Sequence, residues 1–201
     1  MNNKNEIVEQ TNLAFGFIEK LYLESSYLIK EVAGILNDEE EKFVIGKPSG
    51  YGISTTSSRG LEVNNVRLWL LKKFSVFFIP EEKTALRGGG TITKIDKDLK
   101  ILYLRIVLND KNIKEPAVYF GVLYNIEKKS KTKWFSKFEQ AMSNLEYNDY
   151  KVFKDIKKID YENIYIKVQG ELIKNSLFEI TNSETIVEKI IKPSLELYRK
   201  Y

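Results

Sequence analysis

The chain of 201 residues contains no cysteine and no histidine. The absence of cysteine excludes disulfides, thiolate nucleophiles and cysteine-ligated zinc or iron–sulfur centres. The absence of histidine excludes a Ser-His-Asp triad, histidine-ligated metals and the most frequent general base near neutral pH. Any catalysis would have to use carboxylates, lysine, tyrosine or hydroxyl side chains. We therefore expect no cofactor, unless a carboxylate site binds Mg²⁺.

Long apolar segments are also absent. No apolar run approaches the roughly 20 residues that span a bilayer. The first residues, 1–6, lack the apolar stretch of a signal peptide. We therefore expect a cytoplasmic protein without a membrane partner. Disorder is not expected, because 43% of the residues are hydrophobic and twelve tyrosines and eleven phenylalanines can build a sizeable core.

The hydrophobic periodicity predicts a single α+β domain over residues 1–201. Apolar residues at helical spacing predict one long helix over residues 6–36, or two helices with a break near Ser25. Its apolar stripe contains Ala14, Ile18, Leu21, Leu28, Val32 and Ile35. Over residues 66–127 the period changes to two, and the connections are short, which favours antiparallel pairing. We expect an antiparallel β-meander of about five to seven strands.

The order α-β-α is predicted for the end of the chain. It comprises a helix over 136–146, a strand over 164–168 and a final helix with a capping box at Thr181 and Glu184. Pro193 should kink or restart that final helix. We expect the N-terminal and C-terminal helices to cover one face of the sheet in a two-layer fold.

Positive charge is concentrated in the second half of the chain. Residues 1–100 hold 14 basic and 14 acidic side chains, whereas residues 101–201 hold 18 and 14 and carry the whole net charge of +4. The densest part has five lysines with no acid between them, Lys128, Lys129, Lys131, Lys133 and Lys137. Together with the neighbouring Trp134 and Phe135, these lysines favour binding to a nucleic acid or an acidic protein. The alternative is a solvated loop beside two core aromatics.

One face of the predicted sheet combines tyrosine, tryptophan and arginine. Its residues are Arg67, Trp69, Tyr103, Arg105, Tyr119 and Tyr165. Because these residue types dominate the energetic centres of protein interfaces, an open face would favour a partner surface with Arg67 and Arg105 among its binding residues. The alternative is that the helix over 136–146 covers this face and makes it a second small core.

A carboxylate and lysine pattern offers a metal site. Glu127-x-Lys129 ends the predicted strand 117–127, and Asp98 precedes the predicted strand 99–108. The coarse element order and these three residues resemble the PD-(D/E)xK nuclease superfamily. The resemblance implies that Asp98 and Glu127 hold Mg²⁺ through oxygen ligands, with Lys129 as the third member of the catalytic set.

The expected register of these two strands argues against a shared metal site for Asp98 and Glu127. If both strands place their even-numbered residues in the core, opposite residue numbers sum to about 226, and Leu99 pairs with Glu127. Strict alternation then sends Asp98 and Glu127 to opposite faces of the sheet. A bulge or a frayed strand end would be needed to bring the two carboxylates together.

Two glycine-rich segments are candidate loops. Residues 46–60 hold four glycines and six Ser/Thr. A loop of this length is uncommon and often functional, so it is where a small ligand would bind, although two short polar strands fit as well. Gly88, Gly89 and Gly90 suit an anion-binding nest. They match no phosphate-binding motif, because a strand follows them, and a hairpin connection is the simpler interpretation.

These observations favour a non-enzymatic binding or interaction module. Its predicted surface is the basic segment 128–137, and its predicted partner is a nucleic acid or an acidic protein. The first alternative is a metal-dependent nuclease of PD-(D/E)xK-like topology, and the second is a small-ligand sensing domain. The oligomeric state does not follow from the sequence.

Overall fold

The structure is a computed structural model and describes residues 4–45, 73–83, 98–109, 113–129, 158–164 and 166–201. In these ranges the chain forms an N-terminal helix, a six-stranded antiparallel sheet and a C-terminal helix. The predicted α+β class is therefore confirmed. The predicted helix over 136–146 and the loop over 46–60 lie outside the described residues. The single-domain assignment stays a prediction.

The N-terminal helix α1 spans Lys4–Asn37 without a break. The hydroxyl of Ser25 donates a hydrogen bond of 2.8 Å to the carbonyl of Leu21 one turn earlier. This bond satisfies a buried hydroxyl inside the helix. The alternative of two helices with a break near Ser25 is therefore wrong. Among the described residues, no helix combines the length and apolarity needed to cross a membrane.

The sheet contains β1 (Phe43–Ile45), β2 (Lys73–Pro80), β3 (Ile101–Val107), β4 (Ala117–Lys128), β5 (Lys158–Glu162) and β6 (Ile166–Ser176). The strands lie in the order β1-β2-β3-β4-β6-β5, and each neighbouring pair is antiparallel. β2, β3 and β4 belong to the meander predicted over residues 66–127. β6 then pairs with β4, so that β5 lies beyond it. β1 and β5 were not predicted.

The pairing of β3 with β4 confirms that the even-numbered residues of both strands share a face, but the predicted register is wrong. Leu104 lies opposite Phe120, and Ile101 lies opposite Leu123, so opposite residue numbers sum to 224 and not to about 226. The even-numbered residues of both strands share one core cluster. A shift by two residues keeps every side chain on its face, because the side-chain period of a strand is two.

One face of the sheet packs against the terminal helices, and we call it the helix-covered face. Its buried cluster includes Ile29, Val32, Leu36, Val76, Leu104, Phe120, Ile190 and Leu195. Phe78 and Phe120 meet edge to face, with ring centroids 5.8 Å apart. Burial of apolar area on this scale is the main stabilising term of the fold.

The opposite face, which we call the second face, is buried as well. Its cluster includes Phe77, Ile101, Tyr103, Tyr119, Leu123, Ile126, Ile159, Ile166 and Val168. The rings of Phe77 and Tyr103 stack with centroids 5.0 Å apart. The sheet therefore has two cores, which agrees with the alternative of a covered face.

The C-terminal helix consists of three parts, α2 (Ser183–Ile186), a π-helical segment (Val187–Ile191) and α3 (Lys192–Lys200). Its cap lies one residue later than predicted: Asn182 accepts from the Thr185 N–H at 2.9 Å, and the Thr185 hydroxyl accepts from the Asn182 N–H at 3.1 Å. Pro193 stands at the start of α3. The predicted restart is confirmed, and the wider π turn precedes the residue that lacks an N–H.

Candidate functional site

A bulge in β4 changes the face on which Glu127 lies. Between Tyr124 and Glu127 the register against β6 shifts by one residue, and Asn125 has a φ of 49°. Asparagine tolerates this left-handed conformation better than most residues. Leu123 and Ile126 both belong to the second-face cluster, so the alternation is inverted after the bulge. Glu127 therefore shares the helix-covered side of the sheet with Tyr124.

After this inversion, strict alternation no longer places Asp98 and Glu127 on opposite faces of the sheet. The two carboxylates nevertheless do not form a metal site. Asp98 and Glu127 are both exposed. The paired part of β3 and β4 ends at Ile101 and Leu123. In the described ranges, no group of three or more acidic residues could hold a metal ion. We therefore derive no metal role for these carboxylates, and the nuclease resemblance stays a hypothesis.

Lys129 forms an ion pair with Glu162 at the end of β5. The hydrogen bond from the ammonium group lowers the pKa of the Glu162 carboxyl, and the charge of Lys167 lowers it further. Both members of the pair keep more than a third of their side chains exposed. Lys129 therefore belongs to a surface on which its charge already has an acidic partner.

The strands beside Lys129 carry a ladder of complementary polar pairs. β5 and β6 place Lys158 opposite Glu171, Asp160 opposite Gln169, and Glu162 opposite Lys167. Gln169 accepts a hydrogen bond of 2.7 Å from the side chain of Asn125 at the bulge. Opposite charges across neighbouring strands attract, and the mixed ladder presents no single sign of charge. The described surface beside Lys129 is therefore mixed in charge.

The remaining lysines of the basic segment are not tested by the structure. The backbone of Lys128 pairs with Ile166 at the end of β4. Lys131, Lys133 and Lys137 lie outside the described residues, as do the neighbouring aromatics Trp134 and Phe135. The hypothesis of an anionic partner for the segment 128–137 therefore stays a prediction.

Arg105 lies in the core and not on a partner surface. Its exposed fraction is 3%, and its Nη1 donates a hydrogen bond of 3.2 Å to the phenol oxygen of Tyr103. A guanidinium needs such polar partners when a sheet face is covered. The prediction of Arg105 as a surface binding residue does not agree with this burial. Arg67 and Trp69 lie outside the described residues.

Tyr201 fixes the C-terminus beside the bulge. Its ring stacks on Tyr124, with centroids 3.9 Å apart, and its phenol donates a hydrogen bond of 2.6 Å to the Glu171 carboxylate. Lys200 adds a contact of 3.2 Å to the same carboxylate. The hydrogen bond from Tyr201 lowers the pKa of Glu171, whereas burial raises the pKa of Tyr124 to about 12. No sequence pattern connects Tyr124, Glu171 and Tyr201, because they are far apart in the chain.

The first half of α1 is exposed, although it is rich in large apolar side chains. Every residue from 5 to 17 is exposed, whereas from Tyr22 onward the apolar stripe is buried or half-buried. The large apolar residues of this part, with their exposed fractions, are Ile7 53%, Val8 50%, Leu13 68%, Phe15 52% and Phe17 63%. We call residues 5–17 the exposed half-helix.

The exposed half-helix continues the same apolar stripe that packs against the sheet. Two series of residues spaced by seven form this stripe, Ile7, Ala14, Leu21, Leu28 and Ile35 and then Val8, Phe15, Tyr22, Ile29 and Leu36. Residues seven apart lie nearly above one another on a helix. The predicted stripe shares Ala14, Leu21, Leu28 and Ile35 with the first series, whereas the second series, which contains Val8 and Phe15, was not predicted.

Comparison of the chain with protein-family models, with curated proteins and with solved structures finds no match. Function is therefore inferred from the residues and their geometry. The exposed half-helix differs from the other described surfaces, because it groups five of the nine large apolar side chains that are exposed in the described residues.

Proposed function

We propose that this chain is a non-enzymatic interaction module that binds a protein through the exposed half-helix. The observation that carries the proposal is the exposure of Ile7, Val8 and Phe15, three large apolar side chains that continue the stripe buried farther along α1. Single exposed apolar residues are normal on protein surfaces, whereas contiguous groups mark interaction sites. Helix-in-groove recognition uses apolar anchors at this spacing.

The exposed half-helix is ordered before a partner binds. It belongs to the continuous helix α1, whose second half is fixed in the core by Ile29, Val32 and Leu36. An isolated helix of its length is marginal in water, because the first turn is costly to form. The anchored half supplies that nucleus. Binding therefore does not carry the entropic cost of folding the helix.

The charges of the exposed half-helix favour a protein surface over a membrane or a nucleic acid. Residues 5–17 contain Glu6 and Glu9 and no lysine or arginine. Helices that bind membrane surfaces carry basic residues on their polar face, and nucleic-acid binding depends on cations that displace counterions. An apolar surface on another protein chain fits the segment best.

The predictions for the rest of the chain belong to the same proposal. An anionic partner, nucleic acid or acidic protein, is proposed for the lysines of residues 128–137. A cytoplasmic location is proposed from the composition. The nuclease and ligand-sensing alternatives stay hypotheses, because no described interaction favours either.

Photo-crosslinking in the cells that naturally produce the protein tests the proposal. A benzophenone amino acid replaces Phe15 on the stripe or, as the matched control, Glu9 on the opposite side of the helix. We expect protein adducts at position 15 that Val8→Gln in the same chain removes, and few adducts at position 9. Equal yields at both positions, or adducts with lipid or nucleic acid alone, would overturn the proposal.

A further inference from the structure

We infer that the partner of the exposed half-helix is a second copy of this chain, bound as an antiparallel helix pair. This inference rests on the proposed function and names its partner. It follows from the direction of the stripe, from the position of the sheet and from the self-complementary order of the exposed residues.

The stripe keeps to one side of α1 between Phe15 and Ile29. A repeat of seven residues drifts by only about 20° per heptad around a straight helix. Phe15, which is exposed, therefore lies on the same side of α1 as Tyr22 and Ile29, which are buried in the helix-covered core. A helix that packs on the exposed half must then lie on the side of α1 that carries the sheet.

This position excludes a parallel pair. A parallel partner helix would continue beside residues 22–36 of α1. That space is already filled by residues of the sheet and the C-terminal helix, among them Leu104, Phe120 and Leu195. An antiparallel partner runs the other way, so that its own core lies beyond the N-terminal end of α1. The steric constraint therefore selects the antiparallel orientation.

A second copy meets this constraint symmetrically. The two helices are related by a two-fold axis near Thr11, and each N-terminal end approaches the core of the other copy. Val8 then faces Phe15 of the second copy, and the same pairing occurs twice, as in an isologous dimer. Glu6 and Glu9 lie away from the stripe, so like charges do not meet. The antiparallel helix dipoles also favour the arrangement.

The size of the interface predicts a weak dimer. The exposed half-helix is about 20 Å long, and a helix is about 10 Å wide, so the helix pair alone covers on the order of 200 Å² in projection. A standard stable interface buries about 800 Å² on each partner. The helix pair alone is therefore too small for a tight complex, and the dimer should form in a concentration-dependent way.

Sedimentation of the purified full chain tests the dimer. We expect the mass to rise from 23.4 kDa toward twice that value over roughly 1 to 200 µM, the range in which weak complexes form. Phe15→Gln should weaken dimerisation at least tenfold, and glutamine keeps the helix propensity. Leu13→Gln is the matched control, because Leu13 is more exposed but lies off the stripe, and it should leave the dimer unchanged.

The absence of native cysteine allows the orientation to be tested with single introduced thiols. Thr11→Cys lies near the two-fold axis and should be joined to its counterpart by a short bis-maleimide. Asn5→Cys should not be joined, because antiparallel copies place these residues at opposite ends of the pair. Efficient joining of Asn5→Cys, with none at Thr11→Cys, would overturn the antiparallel arrangement.

The two proposals fail in different ways. A chain that stays monomeric at every concentration overturns the second-copy inference. If the photo-crosslinker at position 15 then yields adducts with a different protein, the proposed function stands without the dimer. If it yields no stripe-dependent adduct, both are overturned.

Discussion

The phenol of Tyr198 donates a hydrogen bond of 2.8 Å to the carboxylate of Glu41, a residue 157 positions earlier in the chain. The same ring meets Phe43 edge to face, with centroids 5.0 Å apart, and Lys100 lies 4.4 Å from its centre. Burial and the neighbouring Glu41 raise the pKa of the phenol. Tyr198 thus joins the last helix to the segment between α1 and β1.

We expect Tyr198→Phe to lower the free energy of unfolding by about 1 kcal/mol, because it deletes one hydrogen bond to a charged group and keeps the ring. Urea denaturation measures the change. In a double-mutant cycle, Glu41→Ala removes the acceptor and should make Tyr198→Phe nearly neutral. Additive effects of the two substitutions would show that the hydrogen bond contributes no coupling.

The face on which each residue of β3 and β4 lies could be predicted, because alternation is a local property of each strand. The spacing of Val118, Phe120 and Val122 within β4 is enough to place them on one face of the sheet. The register could not be fixed, because a shift by two residues preserves every face. The bulge at Asn125 also escaped prediction, since it depends on how β4 continues beside β6.

The sites were less predictable, because they depend on interactions between distant residues. The acidic partner of Lys129 is Glu162 on another strand, and no spacing rule connects them. Arg105 alternates like a surface residue, yet it is buried because the second face is covered. Similarly, the periodicity of α1 reveals its stripe but not the point where the sheet ends beneath it.

We expect Tyr201→Phe to weaken stability mainly above pH 5. The hydrogen bond from Tyr201 lowers the folded pKa of Glu171, and an unfolded glutamate titrates near about 4.3. A lowered folded pKa contributes stability that is present above the unfolded value and is lost as the pH falls through the folded value. The variant should therefore lose less stability on acidification than the wild type.

Urea midpoints of the two proteins between pH 3 and pH 7 measure this difference. Solvent screening at the partly exposed Glu171 limits the effect at neutral pH to about 1 kcal/mol. Lys200→Gln is a useful comparison, because it removes a hydrogen bond and a charge that also lower the pKa of the same carboxylate. Identical pH profiles for Tyr201→Phe and the wild type would contradict the assignment.

Two glycine substitutions should have opposite effects. A Cβ on Gly121 would overlap the carbonyl oxygen of Glu171, because β4 and β6 approach closely there. We expect Gly121→Ala to destabilise the fold by about 1–3 kcal/mol or more. Gly34 lies within α1 with no atom near the position of its Cβ. Gly34→Ala should stabilise the fold by about 0.5–1 kcal/mol.

Thermal unfolding of both variants checks the pair. The Gly34→Ala protein serves as the matched control, because it adds the same methyl group at an open position. If Gly121→Ala unfolds at the wild-type temperature, the close approach of the two strands is wrong.

A separate prediction concerns the binding of anionic partners to the basic segment 128–137. If Lys128, Lys129, Lys131 and Lys133 bind phosphates, their joint replacement by glutamine should weaken binding to a DNA or RNA probe. It should also reduce the slope of log K against log salt by roughly 0.7–0.9 for each phosphate that is no longer neutralised. Fluorescence anisotropy across a salt series measures both quantities, and an unchanged slope would remove the anionic-partner hypothesis.

The ion pair between Lys129 and Glu162 predicts that single substitutions will differ in their effect on binding. Because Glu162 already neutralises Lys129, Lys129→Gln alone should change the slope less than Lys131→Gln or Lys133→Gln. Conversely, Glu162→Gln releases the ammonium group of Lys129 and removes a repulsive charge, so it should strengthen binding and steepen the slope. A Glu162→Gln protein with wild-type affinity would place Lys129 outside the binding surface, even if the other lysines contribute to it.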